Sequence, residues 1–81
     1  VNGFNFNILV KSSQDCSPEG LMQSYAHQHP STSFGYDADG RAYLDICNTR
    51  FYYSHWSVRS VSKYTQLVTV YLAEANEGGS I

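Results

Sequence analysis

Three histidines, two cysteines and seven carboxylates are the side chains of this chain that could bind a metal, move a proton or attack a bond. His27 and His29 form an H-x-H pair. On a strand both would point one way and could share a metal, but on a helix residues two apart do not face each other. The surrounding pattern is helical, so these histidines read as a helix end, where an imidazole meets the negative end of the macrodipole. Asp37-Ala38-Asp39-Gly40 opens like a calcium loop. Arg41 stands where the third ligand belongs, however, and Asn48 replaces the bidentate glutamate at position twelve. A turn closing a hairpin explains all four residues, and no metal or other cofactor is expected.

His55, with Arg50, Arg59, Asp45 or Glu74, makes up the inventory of a small secreted ribonuclease: a base, and positive charge for a phosphate. No spacing in the chain brings these groups together. There is no nucleophile elbow, Gly-rich phosphate loop or HExxH either. A binding protein is a better reading than an enzyme.

The more unusual inventory is aromatic. Seven tyrosines, four phenylalanines and one tryptophan make up 15% of the residues. Not all of Tyr52, Tyr53, His55, Trp56, Tyr64 and Tyr71 can be core in so small a domain. Tyrosine and tryptophan join an apolar body to a hydrogen-bonding tip, which suits protein interfaces and sugar-stacking platforms. The run Arg50-Phe51-Tyr52-Tyr53-Ser54-His55-Trp56 therefore carries the candidate binding residues. Tyr52, Tyr53 and Trp56 would anchor a partner, Arg50 and Arg59 would orient it, and His55 sits among them.

The elements that must position these groups follow from periodicity. Phe4, Phe6, Ile8 and Val10 alternate with Asn5, Asn7 and Leu9, as in a half-buried strand. Ser17 is a good N-cap, Pro18 suits the first helical position, and Glu19 favours the positive end of the dipole. Leu21, Met22, Tyr25, Ala26 and His29 form a helical stripe that Pro30 stops. Thr32 to Cys47 reads as a hairpin about the Asp37–Gly40 turn, with Ala42, Leu44 and Ile46 on one face and Arg41, Tyr43, Asp45 and Cys47 on the other. A strand runs at least from Phe51 to Val58. Ser57 to Tyr64 is ambiguous. Gln66 to Glu74 is a strand with Val68, Val70 and Leu72 inward. The expected fold is α+β, with one short helix on an antiparallel sheet of about five strands in a single domain over residues 1–81. A six-stranded all-β sandwich is the alternative if Leu21 to Ala26 is extended. Residues 76–81 read as a flexible tail.

A chain of 81 residues is near the lower end of what one hydrophobic core supports. A Cys16–Cys47 disulfide would close a loop of about thirty residues, worth roughly 3–4 kcal/mol in the chain-entropy model. Such a bridge would bring the helix end toward the Tyr43/Asp45/Cys47 side of the hairpin. The start at Val1, as after removal of a signal peptide, the low charged fraction of 15%, and the wealth of Tyr, Ser and Asn agree with a secreted protein.

A net charge of −2 speaks against a general nucleic-acid binder. The charge is uneven, with Arg41, Arg50, Arg59 and Lys63 clustered against Asp45. No apolar run is long enough to span a membrane. The leading expectation is a secreted, disulfide-stapled interaction module of effector or toxin type, acting in virulence or competition. It would bind a host or competitor protein through the aromatic strand or a sheet edge. A glycan-binding module is the first alternative and a ribonuclease-like hydrolase the second. Nothing in the residues sets the oligomeric state.

Overall fold

Strict alternation at the N-terminus produces the first strand, β1 (Gly3–Lys11), whose even-numbered residues face the core. A computed structural model describes residues 3–14 and 17–75. The flexible tail expected over residues 76–81 lies outside them. The helix α1 (Pro18–Gln28) starts as its sequence dictates: the Ser17 hydroxyl accepts from the Gly20 N–H at 3.1 Å, and Pro18 occupies the first turn. Leu21 to Ala26 is helical, so the all-β alternative is ruled out. Four strands follow, β2 (Thr32–Tyr36), β3 (Ala42–Ile46), β4 (Thr49–Ser60) and β5 (Thr65–Glu74).

They form one antiparallel sheet in the order β1-β5-β4-β3-β2. The two edge strands therefore run the same way, and the helix carries the chain from one edge to the other. Helix and inner sheet face enclose the core. Met22, Leu44 and Val70 are its fully buried centre, surrounded by Phe6, Val10, Leu21, Phe51, Val68 and Leu72. Tyr25 joins the helix to the far edge by stacking on Phe6 with ring centroids 4.3 Å apart.

Strand β4 is longer than its aromatic stretch and changes parity within itself. Phe51 and Tyr53 share the inner face with Leu72, and Trp56 and Val58 share it with Val70 and Val68. The switch occurs at a bulge between Tyr53 and His55, where Ser54 is the extra residue. This explains why neither parity of the run reads as purely polar.

Two expectations are corrected. Cys47 is not a strand residue facing the helix side. With Asn48 it forms the two-residue turn between β3 and β4, at φ of 51° and 63°, the left-handed pair of a type I′ hairpin. The helix packs on the Ala42/Leu44/Ile46 face, and among the described residues no element covers the Tyr43/Asp45 face. The expected Cys16–Cys47 bridge finds no support. Cys47 is a free, exposed thiol, and Cys16 lies outside the described residues. Cys47 lies in the turn between β3 and β4, beside Ser31 and Ser33, with no cysteine partner among the described residues.

Candidate interaction face

The bare face of the sheet is built in two rows that cross β2, β3 and β4. Register sets Gly35 beside Tyr43 and Tyr43 beside Tyr52; it likewise sets Ser33 beside Asp45 and Asp45 beside Arg50. Directly opposed residues share a face and touch. Asp45 and Arg50 meet in a two-pronged ion pair, Nε to Oδ1 at 3.0 Å and Nη2 to Oδ2 at 3.2 Å. Asp45 accordingly holds the Arg50 guanidinium above its already high ordinary pKa. The pair is exposed, so its value lies in fixing geometry more than in stability.

Both tyrosines are covered by guanidinium groups. Arg50 lies 3.6 Å from the Tyr43 ring centroid and Arg41 lies 4.1 Å from that of Tyr52. The rings meet edge to face, 6.3 Å apart at 77°. Gly35 makes the room, because a Cβ there would stand 2.7 Å from the Tyr43 hydroxyl oxygen. We expect Gly35→Ala to swing the Tyr43 ring off its guanidinium while the strand stays paired. The amide spectrum should change locally and the thermal midpoint only slightly; a global loss of dispersion would contradict the local role.

Asp37 ties the turn between β2 and β3 to this lattice. Its Oδ1 accepts the N–H groups of Asp39 and Arg41, each at 2.9 Å, and its Oδ2 accepts the Tyr52 hydroxyl at 2.9 Å. Gly40, at φ +82°, completes the turn. These bonds, that from Arg41 foremost, hold the Asp37 carboxyl below its ordinary pKa, against a smaller opposing effect of burial. The same carboxylate holds the Tyr52 hydroxyl above its usual value.

A depressed carboxylate stabilises the fold above its unfolded-state pKa of about 3.9, and the gain is lost as pH falls through the folded-state value. Asp37→Asn should therefore flatten the dependence of stability on pH below about pH 4. Thermal midpoints measured from about pH 5 down to about pH 2 check this, and an unchanged slope would remove Asp37 from the account.

The six residues singled out in the sequence divide between the faces. Arg50 and Tyr52 belong to the lattice. His55 is on the same face further along β4, stacked on Tyr71 with centroids 4.5 Å apart and its Nδ1 3.1 Å from the Ser54 hydroxyl. Arg59 is exposed four residues beyond it. Tyr53 and Trp56 are on the other face, half-buried against the core. Tyr43, Arg41 and Gly35 are lattice members that sequence reasoning missed. The missing signal was the hairpin register, which follows once Cys47-Asn48 is read as a two-residue turn.

His55 and Arg50 do not meet: four ladder steps, about 13 Å, separate them, and the Arg50 guanidinium is bound to Asp45. His29 stacks on Tyr25 at 4.0 Å, and its Nδ1–H donates to the Tyr25 carbonyl at 2.9 Å, as fits a helix end. Among the described residues no group of three His, Cys, Asp or Glu side chains could hold a metal. An open polar hollow of about 490 Å³, bounded by Ser31, Ser33, Asp45, Cys47, Asn48 and Arg50, lies at the foot of the lattice. No protein-family model matches the chain, and no significant match to a curated protein or a solved structure was found.

Proposed function

We propose that the chain is a protein-interaction module that engages its partner with the Tyr43–Tyr52 lattice on the bare sheet face. The observation that carries this reading is that two tyrosines and two arginines are already packed together, Arg50 held by Asp45 and Tyr52 by Asp37, Tyr43 in the space Gly35 leaves, and Arg41 over the Tyr52 ring. Tyrosine and arginine dominate binding hot spots, and side chains held before contact lose less entropy on association. Glycan binding has less to stand on. The guanidinium groups occupy ring faces on which a sugar would stack, and Trp56 lies on the core side. The secreted, effector-type setting is supported by composition alone, because Cys47 is unpaired.

Affinity capture of proteins with the folded domain, using Gly35→Ala and Arg41→Glu as matched baits, tests the reading. A partner held by the native domain and lost by both variants, at a cost of roughly 30-fold or more in affinity, is the expected result. Partners retained equally by both variants would overturn it.

A further inference from the structure

The end of the molecule farthest from this lattice has a different chemistry. The molecule is 43 Å long against 24 and 22 Å across, and β4 runs seven ladder steps, about 23 Å, from Tyr52 to Ser60. Beyond Ser60 the chain turns back tightly. The Val61 and Ser62 N–H groups donate to the Thr65 carbonyl at 3.0 and 3.1 Å, and the Ser12 N–H donates to the Tyr64 carbonyl at 2.9 Å, which ties the turn to β1. The tip is therefore a built structure.

Among the described residues, four of the five most exposed large apolar side chains are here: Leu9, Val58, Val61 and Tyr64, between 49% and 71% exposed. Three of the chain's five cations, Lys11, Arg59 and Lys63, are here as well, all exposed, and no ion pair among the described residues engages them. The described carboxylates lie elsewhere, at the helix start, the turn between β2 and β3, within β3, and at the far end of β5.

We propose that the β4–β5 tip docks on the surface of an anionic membrane, with Val61 and Tyr64 entering the headgroup layer and Lys11, Arg59 and Lys63 meeting lipid phosphates and carboxylates. Placement of the apolar residues favours a bilayer over a protein groove. Leu9 is on the outer sheet face, Val58 is on the inner face beside Val68, and Val61 and Tyr64 are in the turn. A partner surface covers one side of such a tip, whereas an interface between water and lipid surrounds all of it. From Val61 back to Val58 is about 10 Å, the depth to which interfacial elements commonly sink.

Tyrosine, with its apolar ring and polar end, suits that layer. The net negative charge of the whole chain is no obstacle. Screening over about 8 Å at physiological salt leaves the membrane to sense the tip and not the described carboxylates, the Asp37 partner Tyr52 being six ladder steps, roughly 20 Å, from Arg59.

Each cation held near an anionic surface is worth about fivefold in partitioning, so three give on the order of 100-fold over neutral lipid. The experiment is co-sedimentation of the folded domain with vesicles of phosphatidylcholine alone and with phosphatidylserine added, at low and physiological salt. We expect binding to the anionic vesicles only, weakened by salt. Lys63→Glu should lower it about 25-fold, and Val61→Ser/Tyr64→Ser should also weaken it. Gln23→Glu/Ser24→Glu, two exposed helix positions that lower net charge equally, should leave it unchanged. Absence of binding at low salt, or equal loss with the helix variant, would overturn the proposal. So would binding to poly-glutamate without binding to vesicles, which would assign the tip to a soluble acidic partner.

Discussion

Deleting Tyr71 is expected to leave no folded protein, and deleting Ser54 to leave the fold standing. Both remove one residue from a long strand, and the difference lies in what each strand can absorb. Strand β5 is paired on both sides, with β1 and with β4. Losing a residue there shifts every position on one side of the gap to the other face. If Thr65 to Val70 hold their places, Leu72 turns outward and Ala73 takes its core position. If Leu72 to Glu74 hold, Val70 and Val68 turn outward and Thr69 replaces Val70.

The cheaper outcome still costs a Leu→Ala-type loss of about 2–5 kcal/mol, together with disrupted pairing along two ladders. Net stability for a domain of this length is only about 4–12 kcal/mol at roughly 0.05–0.15 kcal/mol per residue. Ser54, by contrast, is the unpaired residue of a bulge. Without it Tyr53 still opposes Leu72, His55 still opposes Tyr71, and every side chain keeps its face. The thermal midpoint should fall by no more than about 4–8 °C, equivalent to about 1 kcal/mol in a domain of this size. Circular dichroism and amide dispersion distinguish the two deletions. Tyr71→Ala, which keeps the strand length, is the control and should stay folded. A dispersed spectrum from the Tyr71 deletion would refute the argument.

Met22→Ala should destabilise the domain by about 2–5 kcal/mol, read from urea unfolding. The helix has few attachments. Its buried residues are Leu21 and Met22, with Tyr25 and Ala26 half-buried beside them, and Met22 alone on the helix has no exposed surface at all. Removing its side chain opens a void between the helix and the inner sheet face, where the fully buried Leu44 and Val70 also lie, and close-packed neighbours only partly collapse into such a space. Met22→Leu keeps most of the volume and should cost less than about 1.5 kcal/mol. Similar losses from the two variants would mean that shape, and not the missing volume, governs the site.

How much of this was legible in the sequence depends on the range of the interactions. The strand from Phe4 to Val10 and the helix after Ser17 announce themselves through local periodicity and capping, and both form as read. The change of face within β4 was not legible. Phe51, Tyr53, Trp56 and Val58 follow no single period, and a bulge becomes visible only when the partner strand is known. The lattice escaped for a related reason. Arg41 and Tyr43 belong to one strand and Arg50 and Tyr52 to the next, and their meeting depends on a turn at Cys47-Asn48 whose residues are not the usual Asn-Gly pair. The disulfide finds no support because cysteine number and compartment suggest a bridge without saying that Cys47 sits exposed in a turn.

The order of strands in the sheet also sets a timetable. The register pairs Asn7 with Thr69, joined by a hydrogen bond of 2.6 Å between side chains 62 residues apart in the chain. Of the five described strands, β1 is made before the others and must wait for β5, made after them. At synthesis rates of about 5–20 residues per second, that interval is roughly 3–12 s. During it the apolar stripe of Phe4, Phe6, Ile8 and Val10 has no strand to pair with, and closing so long a loop must come before any contact repays it. Within this domain the nascent chain is thus exposed to self-association longest at β1, and chaperone contact during synthesis should concentrate there more than on the other described strands.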